Sequence, residues 1–389
     1  MNYKEALEST VGTPFAPGND VRVLKNGDQI FPAMIEAIQE AQHRVDFLTF
    51  VYWTGDIANR MAQTLAEKAK EGVEVRIILD CYGAAFMEDG LTDMMEQAGV
   101  EVVWFRPFKH WKVWKTDNRT HRKVLICDGQ VAFTGGVGIA EEWEGDARKP
   151  GEYRETHFRI QGPAVRGLQS AFLENWIEAG HKLDGGLYRH QNNGEHYIYD
   201  DDDTIKDIPM QVVRTSASVR WSDIVILYET LLALAQDSIR ITTAYFNPTE
   251  TMVQLLAEAV ERGVDVHIMM PGEHTDQRVA NIAGGDWFDE LLDAGIQLWY
   301  YQKTMLHAKV IVIDDYVCCI GSANFNHRSM LKDDEINLVA LSEELAEVLT
   351  GHFREDLDYC EAIQKGDWED RSALQRMLEA VSRPFKSEI

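Results

Sequence analysis

Two stretches of the chain show the same alternation of apolar strands and amphipathic helices. In the first, residues 44–53 form a mostly apolar run rich in aromatic and β-branched residues, which predicts a buried strand. The apolar face of the helix that follows consists of Met61, Leu65, Ala66 and Ala69. Residues 71–79 then predict a helix stop at Gly72 and a second strand.

The second stretch repeats this order. Residues 239–246 predict a strand, and residues 262–270 predict a helix stop followed by another strand. The helix between them has its apolar positions at Met252, Leu255, Leu256 and Ala259. A third strand is predicted at 98–104 in the first copy and at 294–300 in the second. Strands that alternate with helices predict an α/β sheet, and a repeat of this length indicates a duplicated domain.

A chain of 389 residues is long enough for two domains. We assign residues 1–20 to an N-terminal extension, 21–182 to the first domain and 210–389 to the second. Residues 183–209 are rich in Gly, Asn and Asp and predict a linker, whose aspartate run is interpreted as a solvated acidic loop. A C-terminal amphipathic helix is predicted from Leu374, Met377, Leu378 and Val381.

Each predicted domain contains one copy of the pattern His-x-Lys-x4-Asp. The copies are His121, Lys123 and Asp128, and His307, Lys309 and Asp314. Small residues follow at the same distance, Gly135-Gly136 in one copy and Gly321-Ser322 in the other. Residues i and i+2 of a strand point to the same face, so two facing motif strands would bring two His and two Lys together. The repeat therefore predicts one composite site built from both domains.

The two motifs, with the turn Gly321-Ser322-Ala323-Asn324, resemble those of the phospholipase D superfamily. Within it, the chain is most similar to the bacterial cardiolipin synthases, through the segments 134–143, 153–165, 326–329 and 368–372. The resemblance implies an α/β fold of two duplicated phospholipase D-like α-β-α sandwich domains with mixed sheets, related by a pseudo-twofold axis. It also implies a phosphatidyltransferase.

Histidine and lysine suit phosphodiester chemistry. A neutral imidazole attacks phosphorus and leaves a phosphohistidine, while a second imidazole protonates the departing alkoxide and then deprotonates the incoming hydroxyl. Lys123 and Lys309 are expected to balance the charge on the phosphoryl oxygens, so no metal or other cofactor is required. The predicted substrate-binding residues are Ser322, Asn324, Gly136 and Arg119.

Glu155 and Glu335 are candidates to orient the histidines. They follow their motifs in the matching sequences RETH and DEIN, and an imidazole nucleophile needs a carboxylate to fix its tautomer. The resemblance suggests that each glutamate acts on the opposite half, Glu335 on His121 and Glu155 on His307. By analogy with relatives, we assign nucleophilic attack to His121 and proton transfer to His307.

Asp128 and Asp314 complete the motifs and stand among the catalytic candidates. A structural role is the alternative, because a carboxylate where a strand meets a turn commonly accepts hydrogen bonds from the backbone. One position departs from the family pattern: Gly138 stands where the second motif has Asn324. This predicts an unequal phosphate clamp, in which one side relies on a main-chain N–H or another donor.

The net charge of −26 disfavours nonspecific nucleic-acid binding and general attraction to anionic lipid. The segment from Trp104 to Lys123 differs, because basic and aromatic residues alternate there with Asp117 as its only acid. This composition favours a membrane-interface contact. The alternative is an aromatic-rich connection whose lysines extend to solvent.

Five cysteines show no metal-ligand spacing and suit free thiols in a reducing compartment. The N-terminal residues do not have the pattern of a signal peptide, and no apolar run is long enough to span a bilayer. We expect a cytoplasmic protein that associates peripherally with the inner face of the cell membrane. Because the duplication supplies both halves of the site, a monomer is sufficient.

Three functions remain open at this point. The first is transfer of a phosphatidyl group, most simply to a second phosphatidylglycerol to make cardiolipin. The second is hydrolysis of a phospholipid or, less in keeping with the charge, of nucleic acid. The third is lipid binding without catalysis, which the complete set of His and Lys disfavours. Transfer and hydrolysis use the same residues and differ in whether water is excluded, so the motifs do not separate them.

Overall fold

The computed structural model describes residues 2–107, 118–183, 203–216, 221–275 and 287–365. We call the described residues up to 183 the first half and those from 203 onward the second half. Half of the predicted aromatic-basic segment, most of the predicted linker and the predicted C-terminal helix lie outside these residues. None of the helices within the described ranges has the length and apolar character needed to cross a membrane.

The first half alternates strands and helices as its sequence predicts. Its strands are β1 (Ala16–Lys25), β2 (Arg44–Thr49), β3 (Glu74–Asp80), β4 (Glu101–Phe105), β5 (Val124–Cys127), β6 (Val131–Gly135) and β7 (Thr156–Gln161). Its helices are α1 (Tyr3–Val11), α2 (Asn26–Glu40), α3 (Asp56–Lys70), α4 (Leu91–Ala98), α5 (Ala164–Glu178) and a 3-10 turn at Glu141–Trp143.

The second half repeats this order. Its strands are β8 (Thr204–Ser216), β9 (Trp221–Ser222), β10 (Ser238–Thr242), β11 (Phe246–Asn247), β12 (Asp265–Pro271), β13 (Gln297–Tyr301), β14 (Val310–Ile313), β15 (Val317–Gly321), β16 (Phe325–Asn326), β17 (Ile336–Leu341) and β18 (Cys360–Ala362). Its helices are α6 (Asp223–Leu234), α7 (Glu250–Glu261), α8 (Phe288–Asp293), α9 (His327–Leu331) and α10 (Glu343–Leu357).

Local sequence explains these boundaries. Every residue of β2, β5, β14 and β17 is buried, as expected for strands covered on both faces. The side chains of Ser222, Thr249 and Ser342 cap the first turns of α6, α7 and α10. Gly72 follows α3 with a φ of 93°, a left-handed conformation that ends the helix at low cost.

The strands of both halves join into one mixed sheet. Among the described residues its order is β18-β13-β12-β10-β14-β15-β17-β8-β1-β7-β6-β5-β2-β3-β4, with β9 paired to β8. Read outward from the central antiparallel pair β1–β8, each half contributes the same series of parallel and antiparallel pairs as far as β4 and β13, and the second half adds β18 at its edge. This mirrored order confirms the predicted α/β fold and its duplication.

Helices cover both faces of the sheet. On one face, α5 and α10 pack over a core shared by the two halves. On the other face each half has its own core, beneath α2 and α3 in the first half and beneath α6 and α7 in the second. The two motif strands, β5 and β14, therefore belong to one sheet that has helices on both faces.

Two predicted boundaries differ from the structure. The range 1–20, predicted as an extension, contains α1 and the beginning of β1, and α1 packs into the core of the second half through Tyr3, Leu7 and Val11. The predicted linker 183–209 includes the start of β8. Neither strand has a continuous apolar run, because β1 begins with Ala16-Pro17-Gly18 and β8 follows an aspartate run.

Candidate active site

The two motif histidines lie at equivalent positions just before β5 and β14. A parallel bridge joins the main chain before each histidine to the glutamate-bearing segment of the other half. The bridged pairs are Thr120 with Asp334, and Arg154 with Leu306. The His121 N–H donates to the carbonyl of Asp334 at 2.9 Å, and the His307 N–H donates to that of Arg154 at 2.7 Å. The backbone itself therefore fixes each histidine against the opposite half.

Each histidine meets a buried glutamate from the other half. Nδ1 of His121 lies 2.8 Å from Oε1 of Glu335, and Nδ1 of His307 lies 2.8 Å from Oε2 of Glu155. This is the crossed pairing that the family resemblance suggests. An ionised carboxylate that accepts the Nδ1–H proton leaves the lone pair on Nε2, the nitrogen available for chemistry.

The two motif lysines are buried beside the histidines. Nζ of Lys123 donates to the carbonyl of His121 at 2.8 Å, and Nζ of Lys309 donates to the carbonyl of His307. Nζ of Lys123 also lies 5.4 Å from the ring centre of Phe50, within the range of a cation–π contact. The amino groups of both lysines are thus held by backbone oxygens beside the histidines.

Burial dominates the electrostatics of this cluster. It lowers the pKa of His121 to about 4, an effect that Lys123 reinforces and the negative charge of Glu335 opposes. It also lowers the pKa of Lys123 to about 7, again against the attraction of Glu335. Burial alone would raise the pKa of Glu335, but His121 and Lys123 hold that pKa below its ordinary value. At neutral pH, His121 is therefore a neutral imidazole next to an ionised carboxylate.

Asp128 and Asp314 do not join the cluster, which corrects their place among the catalytic candidates. Each follows its lysine by five residues, a span of about 16 Å along a strand. The carboxylate of Asp128 accepts the backbone N–H groups of Gln42, His43 and Arg44. The carboxylate of Asp314 accepts those of Gln236, Asp237 and Ser238. These aspartates stabilise the turns that lead into β2 and β10.

Known proteins share this sequence organisation. A family model described as the cardiolipin synthase, PLD-like domain matches residues 34–143 and 228–357. The chain belongs to this family. Cardiolipin synthase 1 of Bacillus cereus is 31% identical over 98% of this chain and 75% of its own length. The cardiolipin synthase of Clostridium perfringens is 31% identical over 98% of this chain and 80% of its own length. The resemblance stated from the motifs is confirmed.

A solved structure supports the fold across the whole chain. The phosphatidylserine synthase of Haemophilus influenzae superposes with a TM-score of 0.73 over 99% of both chains, at 14% sequence identity. The polyphosphate kinase of Porphyromonas gingivalis matches with a TM-score of 0.57 and 11% identity, covering 95% of this chain and 53% of its own. At these identities the likeness concerns the fold.

Gly136 and Ser322 occupy equivalent turns, and both contact a glutamate. A Cβ atom at Gly136 would lie 2.4 Å from Oε2 of Glu155, so a side chain there would displace the carboxylate from His307. On the other side, Oγ of Ser322 donates to Oε2 of Glu335. The structure therefore places the two predicted substrate-binding residues against the glutamates. Ser322 therefore donates a side-chain hydrogen bond to its glutamate, whereas Gly136 has no side chain that could do so.

The guanidinium of Arg119 contacts residues of its own half. Nη1 donates to the carbonyl of Arg106 at 2.9 Å and lies 3.7 Å from Oδ1 of Asp80. The backbone N–H of Arg119 also lies 3.3 Å from Oδ1 of Asp333. These contacts tie its guanidinium to the ends of β3 and β4, so its predicted contact with substrate has no support from this geometry.

Aromatic side chains surround the histidines, and the sequence patterns indicated only Tyr245 among them, as a strand-end residue that could line the cleft. The ring centre of Phe50 lies 5.2 Å from that of His121. Around His307 the corresponding distances are 5.1 Å for Trp143, 5.9 Å for Tyr153 and 6.4 Å for Tyr245. Aromatic residues at strand ends are usually core residues, so only the position of Trp143 just after the first motif turn could have drawn attention to it.

Proposed function

We propose that this protein is a phosphatidyltransferase that makes cardiolipin from two molecules of phosphatidylglycerol. The observation that carries this proposal is the composite cluster, in which two buried His–Glu pairs form across the halves with two buried lysines beside them. Relatives named cardiolipin synthase align with nearly the whole chain, so the acceptor as well as the donor is proposed to be a phospholipid.

In the first step, Nε2 of His121 attacks the phosphorus atom of one phosphatidylglycerol. The N–P bond forms, the P–O bond to the head-group glycerol breaks, and His307 gives its proton to the departing oxygen. Lys123 and Lys309 balance the charge on the phosphoryl oxygens. The products are free glycerol and a phosphatidylated His121.

In the second step, the now neutral His307 takes the proton from a head-group hydroxyl of the second phosphatidylglycerol. The hydroxyl oxygen attacks phosphorus and the N–P bond breaks. Cardiolipin leaves, with His121 neutral and His307 protonated as at the start. Glu335 and Glu155 hold the two rings in the required tautomer throughout.

The unequal surroundings of the histidines support this division of roles. Burial keeps His121 neutral, as a nucleophile requires. His307 lies instead among the rings of Trp143, Tyr153 and Tyr245, with Nζ of Lys309 3.0 Å from its Nδ1, so the two histidines have different surroundings. We propose that Ser322 positions Glu335 and that Asn324, buried next to this turn, donates to the substrate phosphate.

We also propose peripheral contact with the inner face of the membrane on the side of the first half. Phe86 and Tyr82 are exposed by 74% and 47%. The Tyr82 ring lies 6.4 Å from that of Phe50, which in turn contacts His121. Exposed aromatic residues suit the interface of a bilayer, and the five free cysteines suit a reducing compartment. One chain supplies both halves of the site, so we propose that a monomer is active.

Incubation of the purified protein with phosphatidylglycerol vesicles tests the activity. We expect cardiolipin by thin-layer chromatography, with free glycerol released in equal molar amount. Phosphatidic acid as the sole lipid product would instead identify a hydrolase. A matched incubation with single-stranded and double-stranded DNA should leave the DNA intact, and cleavage at a comparable rate would contradict a lipid substrate.

A further inference from the structure

The first half has a glycine where the second half has the asparagine of its motif turn. A Cβ atom at Gly138 would lie 2.9 Å from Cζ3 of Trp143 and 2.9 Å from Cβ of Val51. The space that a side chain would need at this position is therefore filled by the indole ring. An asparagine at position 138 would therefore clash with Trp143 and Val51.

The replacement involves two positions in each half. Five residues after Asn324 comes Ser329, whose Oγ accepts the Asn324 N–H at 3.1 Å. Five residues after Gly138 comes Trp143. The second half thus has the larger Asn324 followed by the smaller Ser329. The first half has the smaller Gly138 followed by the larger Trp143.

Trp143 also carries an unused donor. The residue is only 3% exposed, and its indole N–H is buried with no hydrogen-bond partner among the described residues. The ring lies 5.1 Å from that of His307, at an interplanar angle of 86°. A buried N–H without a partner costs free energy, and such groups are uncommon in folded proteins unless a ligand completes them.

We propose that the indole N–H of Trp143 donates a hydrogen bond to a phosphoryl oxygen of the bound phosphodiester. It would serve the first half as a donor in the way that the side-chain amide of Asn324 serves the second, so the clamp has two donors of different chemistry. The identity of the phosphodiester rests on the proposed function, whereas the donor itself needs only a phosphate at the composite site.

The test compares Trp143→Phe with Trp176→Phe in the full-length protein. Trp176 is a matched control because it is 2% exposed, and its indole N–H already donates to the carbonyl of Lys182 at 3.3 Å. Both changes retain an aromatic ring and delete one N–H. Binding of inorganic phosphate by calorimetry, kcat/KM for cardiolipin formation and Tm are measured for each.

We expect Trp143→Phe to weaken phosphate binding and lower kcat/KM by about tenfold, the effect of losing one hydrogen bond to a charged acceptor. Its Tm should fall less than that of Trp176→Phe, because both variants lose the same ring volume but the N–H of Trp143 has no partner in the described fold. Trp176→Phe should show the opposite pattern, with a lower Tm and unchanged phosphate binding. Unchanged phosphate affinity and kcat/KM in Trp143→Phe would overturn the proposal.

Phosphate binding separates this inference from the proposed function. If the unchanged protein makes no cardiolipin but Trp143→Phe still weakens phosphate binding, the donor stands and the function fails. A second variant pair tests the exchange of positions. Trp143→Ser should lose phosphate affinity, and adding Gly138→Asn should restore part of it. A double variant no better than Trp143→Ser would contradict the replacement of one donor by the other.

Discussion

The halves of the site present the same catalytic groups in unequal surroundings. Glu335 receives a hydroxyl hydrogen bond from Ser322, whereas Glu155 lies against the bare main chain of Gly136. The segments that carry the glutamates are anchored differently as well. Arg154, next to Glu155, forms a buried ion pair with Asp356 of α10, and its counterpart Asp334 accepts from Asn175 of α5.

This difference shows how a duplicated fold can perform an asymmetric reaction. The mirrored sheet and crossed bridges preserve the positions of the reacting groups, because both histidines depend on the same backbone pairing. The residues that contact the two glutamates can differ between the halves, since each glutamate only has to orient one imidazole ring. Burial can then keep His121 neutral, while His307 lies among three aromatic rings and beside the amino group of Lys309.

Removal of either histidine should have the largest effect. His121→Ala and His307→Ala are each expected to lower kcat for cardiolipin formation by about 10⁴-fold, since the nucleophile and the acid act as a unit. The measurement is product formation under saturating phosphatidylglycerol. Near-normal activity in either variant would contradict the composite site.

A substrate with a good leaving group distinguishes the two roles. A phosphatidyl ester of p-nitrophenol needs no proton on its departing oxygen. His307→Ala should therefore still release one equivalent of p-nitrophenolate in a burst, and His121→Ala should release none. A burst in His121→Ala and none in His307→Ala would reverse the assignment of nucleophile and acid.

A substitution that makes the turns at Gly136 and Ser322 alike should lower kcat more when it is made in the first half than when it is made in the second. Gly136→Ser places a Cβ atom where Glu155 now lies, so we expect kcat to fall by about 100-fold as His307 loses its carboxylate. The reverse change, Ser322→Gly, removes one hydrogen bond to Glu335 and should cost about fivefold. Steady-state kinetics on both variants test this order, and equal losses would mean that the halves are interchangeable here.

The pH dependence should reflect the depressed pKa values of the first half. His121 must be neutral, so kcat/KM should fall as the pH drops through about 4. Lys123 must be charged, so kcat/KM should fall as the pH rises through about 7. Lys123→Arg should move the alkaline limb upward, because arginine stays protonated. An unmoved limb in that variant would assign it to another group.

The motif aspartates should affect stability far more than turnover. Asp128→Ala leaves three backbone N–H groups without their acceptor, so we expect the free energy of unfolding to fall by about 3 kcal/mol or more. Turnover per folded molecule, measured at low temperature, should remain within about twofold of normal, since the carboxylate lies remote from the cluster. A large loss of kcat at unchanged stability would restore Asp128 to the catalytic set.

The repeat in the sequence was sufficient to predict the fold class and the meeting of the histidines. It also identified Glu155 and Glu335 as matching residues of the two copies, while their crossed pairing with the histidines came from the family resemblance. It did not reveal that β1 and β8 join the halves. Strands at the centre of a sheet are recognised by continuous apolar residues, and these two begin in turn-forming or acidic sequence.

The sequence also left the surroundings of the site open. Arg119 belongs to a basic segment, but its guanidinium is committed to Arg106 and Asp80 by contacts between residues distant in sequence. The missing asparagine at Gly138 was visible as a departure from the pattern. Its physical reason, the ring of Trp143, depends on side-chain packing that no spacing rule encodes.

The parallel bridges that precede the two histidines make both pairs depend on one interface. A displacement of about 1 Å between the halves would lengthen both His–Glu contacts together, since the partners of each pair come from opposite halves. Activity should consequently disappear on heating in a single cooperative loss. A chain with one half loosened is expected to be as inert as one fully unfolded, and to recover only when the halves have docked again.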